Sequence, residues 1–208
     1  MPCRQGSLSV LAIAIAVSCS SEPPSPRSSS GPLSVSVDSI ATSKAGTKLA
    51  AFQAKTGAVI IQGFSKIGTV PALYGAHVTI QAKEYANASD GSREYGMTIE
   101  VKEGGTLERE NTSYIDYDEL ESLLNGIDYI VKIDGSVTQL DDFQADYRTK
   151  GDFGISTFSS GGQVLAAIKS GTIGQASAFY RLTDLALVRN HIASARTVLD
   201  SLKAPARK

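Results

Sequence analysis

Tryptophan is absent from this 208-residue chain, which argues against a platform of broad rings for stacking carbohydrate. Cysteine occurs only as Cys3 and Cys19, so everything after residue 19 lacks both an internal disulfide and a thiolate metal site. The two histidines, His77 and His191, fall on a predicted strand and a predicted helix far apart in sequence, an arrangement that offers no His-rich zinc site. Neither a metal nor a cofactor is expected. Lys and Arg number 20 against 21 Asp and Glu. Without a basic excess to neutralise phosphates, a nucleic-acid partner is not expected either. Catalytic signatures are missing too. There is no Gly-x-Ser-x-Gly elbow, no His-Glu-x-x-His helix, no phosphate loop of the Walker type and no dinucleotide glycine fingerprint.

What the chain does have begins near its amino terminus. Arg4 precedes an apolar stretch from Leu8 to Val17, and small residues at Ala16 and Ser18 lead into Cys19. A positive start, a short apolar run and small residues before a cut are the layout of a secretory signal peptide. The run is about ten residues, or roughly 15 Å as a helix, about half of a bilayer's hydrocarbon core. It is suited to export and removal rather than to spanning.

The segment Ala16-Val17-Ser18-Cys19 resembles the lipobox of bacterial lipoproteins, with Ala16 where that motif most often carries Leu. The resemblance covers about the first twenty residues. It implies cleavage after Ser18, a diacylglyceryl group on the Cys19 thiol and attachment to a membrane through lipid; two or more acyl chains give stable anchoring. Ser20 follows Cys19 where Asp would signal retention, which in Gram-negative cells implies the outer membrane. The expected organisation is a signal peptide over 1–18, a lipidated cysteine and tether over 19–32, and a single domain over 33–208. From Ser20 to Pro32 no large apolar side chain occurs, and such a segment cannot offset the entropy of ordering. Fully extended, it reaches about 40 Å.

From Leu33 the pattern becomes strand-like. Period-two alternation or β-branched runs mark 34–38, 58–67, 77–83, 95–102 and 107–113, with Gly63 a candidate bulge and Asp90-Gly91 a hairpin turn. Leu120, Leu123, Leu124, Ile127, Ile130 and Val131 then share one helical face, capped by Asp116 with Glu119 three residues on. Gly126 inside that helix costs about 1 kcal/mol relative to Ala and suggests close packing against a sheet. Strands follow again at 143–148, 153–158, 164–169 and 176–181, with glycine turns between them. A final helix carries Leu185, Val188, Ile192, Ala195, Leu199 and Leu202 on one stripe, with Thr183 as its N-cap. The expected fold is α+β: one curved, meander-like antiparallel sheet of about nine strands with two amphipathic helices packed on it. Two half-domains of strands plus one helix are the alternative. The only internal likeness is a faint one between Ser65–Thr69 and Lys169–Gly174.

The acidic run from Asp116 to Glu121 passes directly into a helix, so capping explains it better than calcium. Asp141-Asp142 reads as a solvated turn. Tyr147, Arg148, Lys150 and Asp152 place an aromatic beside two cations and an acid in one polar turn, the candidate surface for an anionic ligand or a partner. The loop Gly68–Gly75 is apolar and reads as core, with presentation of Leu73 and Tyr74 to a partner as the other reading. Together these features predict a lipid-anchored, non-enzymatic binding module of the cell envelope with an envelope protein as partner. A small envelope hydrolase and a carrier of an apolar molecule are the alternatives.

Overall fold

The structure, a computed structural model, describes residues 46–105 and 108–204. Cys19, the leader, the tether and the predicted strand 34–38 lie outside the described residues. Helix α1 (Lys48–Gln53) precedes a meander of β1 (Ile60–Pro71), β2 (His77–Asn87), β3 (Arg93–Lys102) and β4 (Glu110–Asp116), which leads into α2 (Leu120–Ile130). A second meander of β5 (Gln144–Arg148), β6 (Phe153–Ser160), β7 (Gln163–Ser170) and β8 (Ala176–Arg181) leads into α3 (Leu185–Lys203).

The fold is α+β, as the periodicities predict, but the eight described strands form two four-stranded antiparallel sheets rather than one sheet of about nine. The ladder stops after β4 because β5 does not pair with it. That edge of β4 meets the second sheet through side chains instead. The Ser113 and Ser170 hydroxyls hydrogen-bond at 2.7 Å, and Asn111 Nδ2 donates to the carbonyls of Ile173 and Gly174.

Both sheets turn their apolar alternation toward one shared core. Val78, Ile80, Met97, Ile99, Val101 and Ile115 from the first sheet bury against Phe153, Ile155, Ile168, Ala178 and Tyr180 from the second. The Tyr180 hydroxyl donates to the Val70 carbonyl at 3.1 Å, so this large buried side chain leaves no polar atom unpaired. The helices cross over. α2, which follows the first sheet, packs on β5 and β6, while α3, which follows the second, packs on β1, β2 and β3.

The strand registers superimpose the two halves. Each last strand ends in a 3₁₀ turn (Tyr117–Glu119, Leu182–Asp184) and then a helix, so Leu120 corresponds to Leu185, Ile127 to Ile192 and Gly126 to His191. Across the ladders Gly68 faces Ile80, Ile80 faces Ile99 and Ile99 faces Ser113; Tyr147, Ile155, Ile168 and Ala178 follow the same course. The half-domain arrangement therefore holds at the level of topology. Ser65–Thr69 and Lys169–Gly174 are not equivalent in it, since they fall on a first strand and on a third strand with its turn.

Three local expectations change. The irregularity in β1 falls between Lys66 and Gly68 rather than at Gly63, where the His191 ring lies so close to Gly68 that a Cβ would meet it at 2.6 Å. Thr183 sits inside the 3₁₀ turn rather than capping α3, its hydroxyl directed to Asp184. Helix α1 has no counterpart in the sequence reading. Its first two amide groups, Lys48 and Leu49, donate to the two carboxylate oxygens of Asp116, both at 2.9 Å. The helix lays Leu49 and Phe52 over Tyr85 on the outer face of the first sheet.

Candidate functional site

Among the described residues one sheet face has no helix or second sheet over it: the outer face of β5–β8. Alternation along each strand and the register between them arrange it in rows. Gln144, Phe158, Leu165 and Arg181 form the first, Asp146, Ser156, Ala167 and Phe179 the second, and Arg148, Gly154, Lys169 and Ser177 the third.

The first two rows hold an aromatic stripe. Phe179 meets Phe158 edge-on at 6.5 Å between centroids and Tyr74 at 6.3 Å. Tyr74 comes from the 3₁₀ turn after β1 and is 78% exposed, at a positive φ of 61°. The loop that reads as core therefore presents Tyr74 to solvent, while Val70 and Ala76 at its ends enter the core.

The third row opens into a polar groove of about 290 Å³ lined by Asp146, Arg148, Asp152, Gly154, Ser156, Lys169 and Gln175 among others. Ser156 donates to Asp146 at 2.6 Å and Gln144 donates to both oxygens of the same carboxylate. The Ser156 hydroxyl, then Gln144 and the fields of Lys169 and Arg148, hold the Asp146 carboxyl below the usual carboxylate range. A carboxylate so satisfied is a weak base, and among the described residues that line the groove no histidine stands beside Ser156.

The predicted set Tyr147, Arg148, Lys150 and Asp152 is only partly brought together. Arg148 and Asp152 line the groove. Tyr147 contributes to its wall, but its ring turns to the opposite face of β5, against Gly126 of α2, and its hydroxyl pairs with Ser122 at 2.9 Å. Successive strand residues point to opposite faces, so Tyr147 and Arg148 cannot serve one ligand on one face. Lys150 points to solvent beyond the turn and is absent from the groove lining; its amide donates to Glu119 at 3.0 Å. Sequence reading missed Asp146, Ser156, Lys169 and Gln175. Period two on 143–148 and 164–169 was the signal for Asp146 and Lys169, but only the register places them together.

The acidic run is structural. Asp116 caps α1, Glu119 accepts from the amides of Asp116 and Lys150, and Asp118 pairs with Lys48 at 2.8 Å. Asp142 accepts from Ser159 at 2.7 Å, more specific than a solvated turn. A second groove of about 290 Å³ lies between α2 and α3, walled by Ile127, Val131, Leu182 and Ala186. Arg189 grips Asp128 there through two hydrogen bonds of 2.8 and 2.9 Å. Among the described residues no three His, Cys, Asp or Glu side chains converge as metal ligands. Comparison with family models, curated proteins and solved structures returns no match to this chain.

Proposed function

We propose that this chain is a lipid-anchored binding module of the bacterial cell envelope, exported by its leader, acylated at Cys19 and held off the membrane by residues 20–32. The outer face of β5–β8 is its working surface. The observation that carries this reading is the aromatic stripe of Tyr74, Phe158 and Phe179 on a sheet face that no helix or second sheet among the described residues covers. Exposed aromatics grouped beside charged groups have the composition of an interaction surface. The packed core between the sheets supports surface binding over carriage of an apolar molecule inside. The separation of Tyr147 from Arg148 and Asp152 supports binding over hydrolysis.

The test is affinity capture from intact envelopes with the native chain, a Cys19→Ala form and a Phe179→Glu form. The expected result is one protein partner retained by the native chain and lost from both variants, with native mass beginning at an acylated Cys19. A free, unmodified terminus would overturn the anchor. A partner retained equally by Phe179→Glu would overturn the surface.

A further inference from the structure

The polar groove contains charges of both signs, and three of them, Arg148, Lys169 and Asp152, stand outside any ion pair among the described residues. Arg148 and Lys169 flank Gly154 from the neighbouring strands, Ser156 follows it on β6 and Asp152 precedes it in the turn before that strand. Adjacent strands lie about 5 Å apart, so the two cations straddle a floor about 10 Å wide.

That floor is bare by choice of residue rather than by need of the backbone. A Cβ on Gly154 would meet only the Tyr147 carbonyl at 3.7 Å and Lys169 Cβ at 3.9 Å, ordinary contacts, and the glycine has no positive φ. Glycine in a strand weakens it and often stands where a ligand or another backbone approaches closely; at Gly154, next to the start of β6, no other backbone does so. At the groove's end Asp152 holds a φ of 59° in a turn whose backbone is held by its amide donating to Thr149 and its carbonyl accepting from Gly171.

We infer that this groove binds a small zwitterion of the amino-acid kind, its carboxylate received by Arg148 and Lys169 over Gly154 and its ammonium by Asp152. An anion alone would meet the Asp152 and Asp146 carboxylates, and a cation alone would meet Arg148 and Lys169. Only a ligand carrying both charges satisfies both sides. The inference rests on the reading of this face as a binding surface and names what the polar third of it takes.

The test is a titration of the ¹⁵N-labelled full chain, followed by amide shifts, with glycine and L-alanine and, separately, with acetate, methylammonium and the two together. Glycine and alanine are expected to move the Gly154, Ser156 and Lys169 amides saturably, and the single-charge ions are not. Asp152→Asn and Arg148→Gln are each expected to weaken the response about tenfold. Gly154→Val, whose Cβ would make only ordinary contacts, is expected to abolish it with the remaining spectrum native. Equal shifts from mixed acetate and methylammonium would overturn the assignment, as would an intact response in Gly154→Val. If no zwitterion moves these amides while Phe179→Glu still loses the envelope partner, the ligand class falls and the binding face stands.

Discussion

The ring of Tyr147 lies on Gly126, where a Cβ would meet it at 2.5 Å. At the equivalent place in the other half the sizes are exchanged: the His191 ring of α3 lies on Gly68 of β1. Each helix thus meets the other half's first strand through one ring and one glycine, with the ring on the strand in one case and on the helix in the other.

Gly126→Ala should therefore destabilise the protein although alanine favours helix by about 1 kcal/mol. The added methyl forces a half-buried ring to move, at a cost of about 1–3 kcal/mol. Urea unfolding should show a lower midpoint for Gly126→Ala and for Gly68→Ala. Adding Tyr147→Ala to Gly126→Ala should be far less damaging than the sum of the single changes. Additive losses would mean that the ring is not what opposes the methyl.

Asp116 is 1% exposed, and both of its oxygens hold the first turn of α1 from a distance of 67 residues and more in sequence. Asp116→Ala should cost about 2–4 kcal/mol, the loss of two charge-assisted bonds plus unpaired amides. Amide exchange should accelerate across Lys48–Gln53 more than in β6 and β7. Uniform acceleration would place the role of Asp116 elsewhere.

Tyr85 is buried beneath Phe52, its hydroxyl donating to Gln53 at 3.2 Å and accepting from Gln62 at 3.0 Å. Burial pushes its ionisation up to about 12 from 10.0. A proton held more tightly in the folded state contributes stability that is complete below pH 10 and is lost as pH rises toward 12. Burial raises Tyr180 in the same direction. Stability measured from pH 9 to 12 should fall over this window. The fall should be shallower in Tyr85→Phe, although that variant starts less stable for want of its hydrogen bonds.

Ser156 is the first cause of the low ionisation range of the Asp146 carboxyl. Ser156→Ala should let Asp146 titrate at higher pH in a carboxyl-detected NMR titration. Because the folded form ionises more readily, the associated stability exists above the unfolded carboxylate range and is lost as pH falls through the folded one. Asp146 is largely exposed, so only a small change in overall stability accompanies the shift. An unmoved titration in Ser156→Ala would assign the effect to Gln144, Lys169 and Arg148.

Much of the secondary structure was legible because alternation and helical stripes record burial directly. Val78, Ile80 and Ala82, or Leu120, Leu123, Leu124 and Ile127, announce which face turns inward. Pairing was less legible. Nothing in β4 or β5 says that the ladder ends between them, since the join is made by Asn111, Ser113 and Ser170, polar residues that read as surface. Helix α1, six residues long, has too few turns for a stripe; Thr47 caps it locally, but the carboxylate that accepts its first two amides lies on a distant strand. The same limit hid the groove. Asp146, Gly154 and Lys169 come from three strands, and only the register puts them side by side.

The exchange of helices also sets an order in time. A chain made from its amino-terminal end completes β1–β4 early, yet the apolar side of that sheet is covered only when β5–β8 and then α3, the last described element, are in place. In the same way, α2 waits for β5 and β6 to give it a surface to rest on. Neither half can finish alone, so the body is expected to remain pliant until nearly its whole length is available and then to set in a single step.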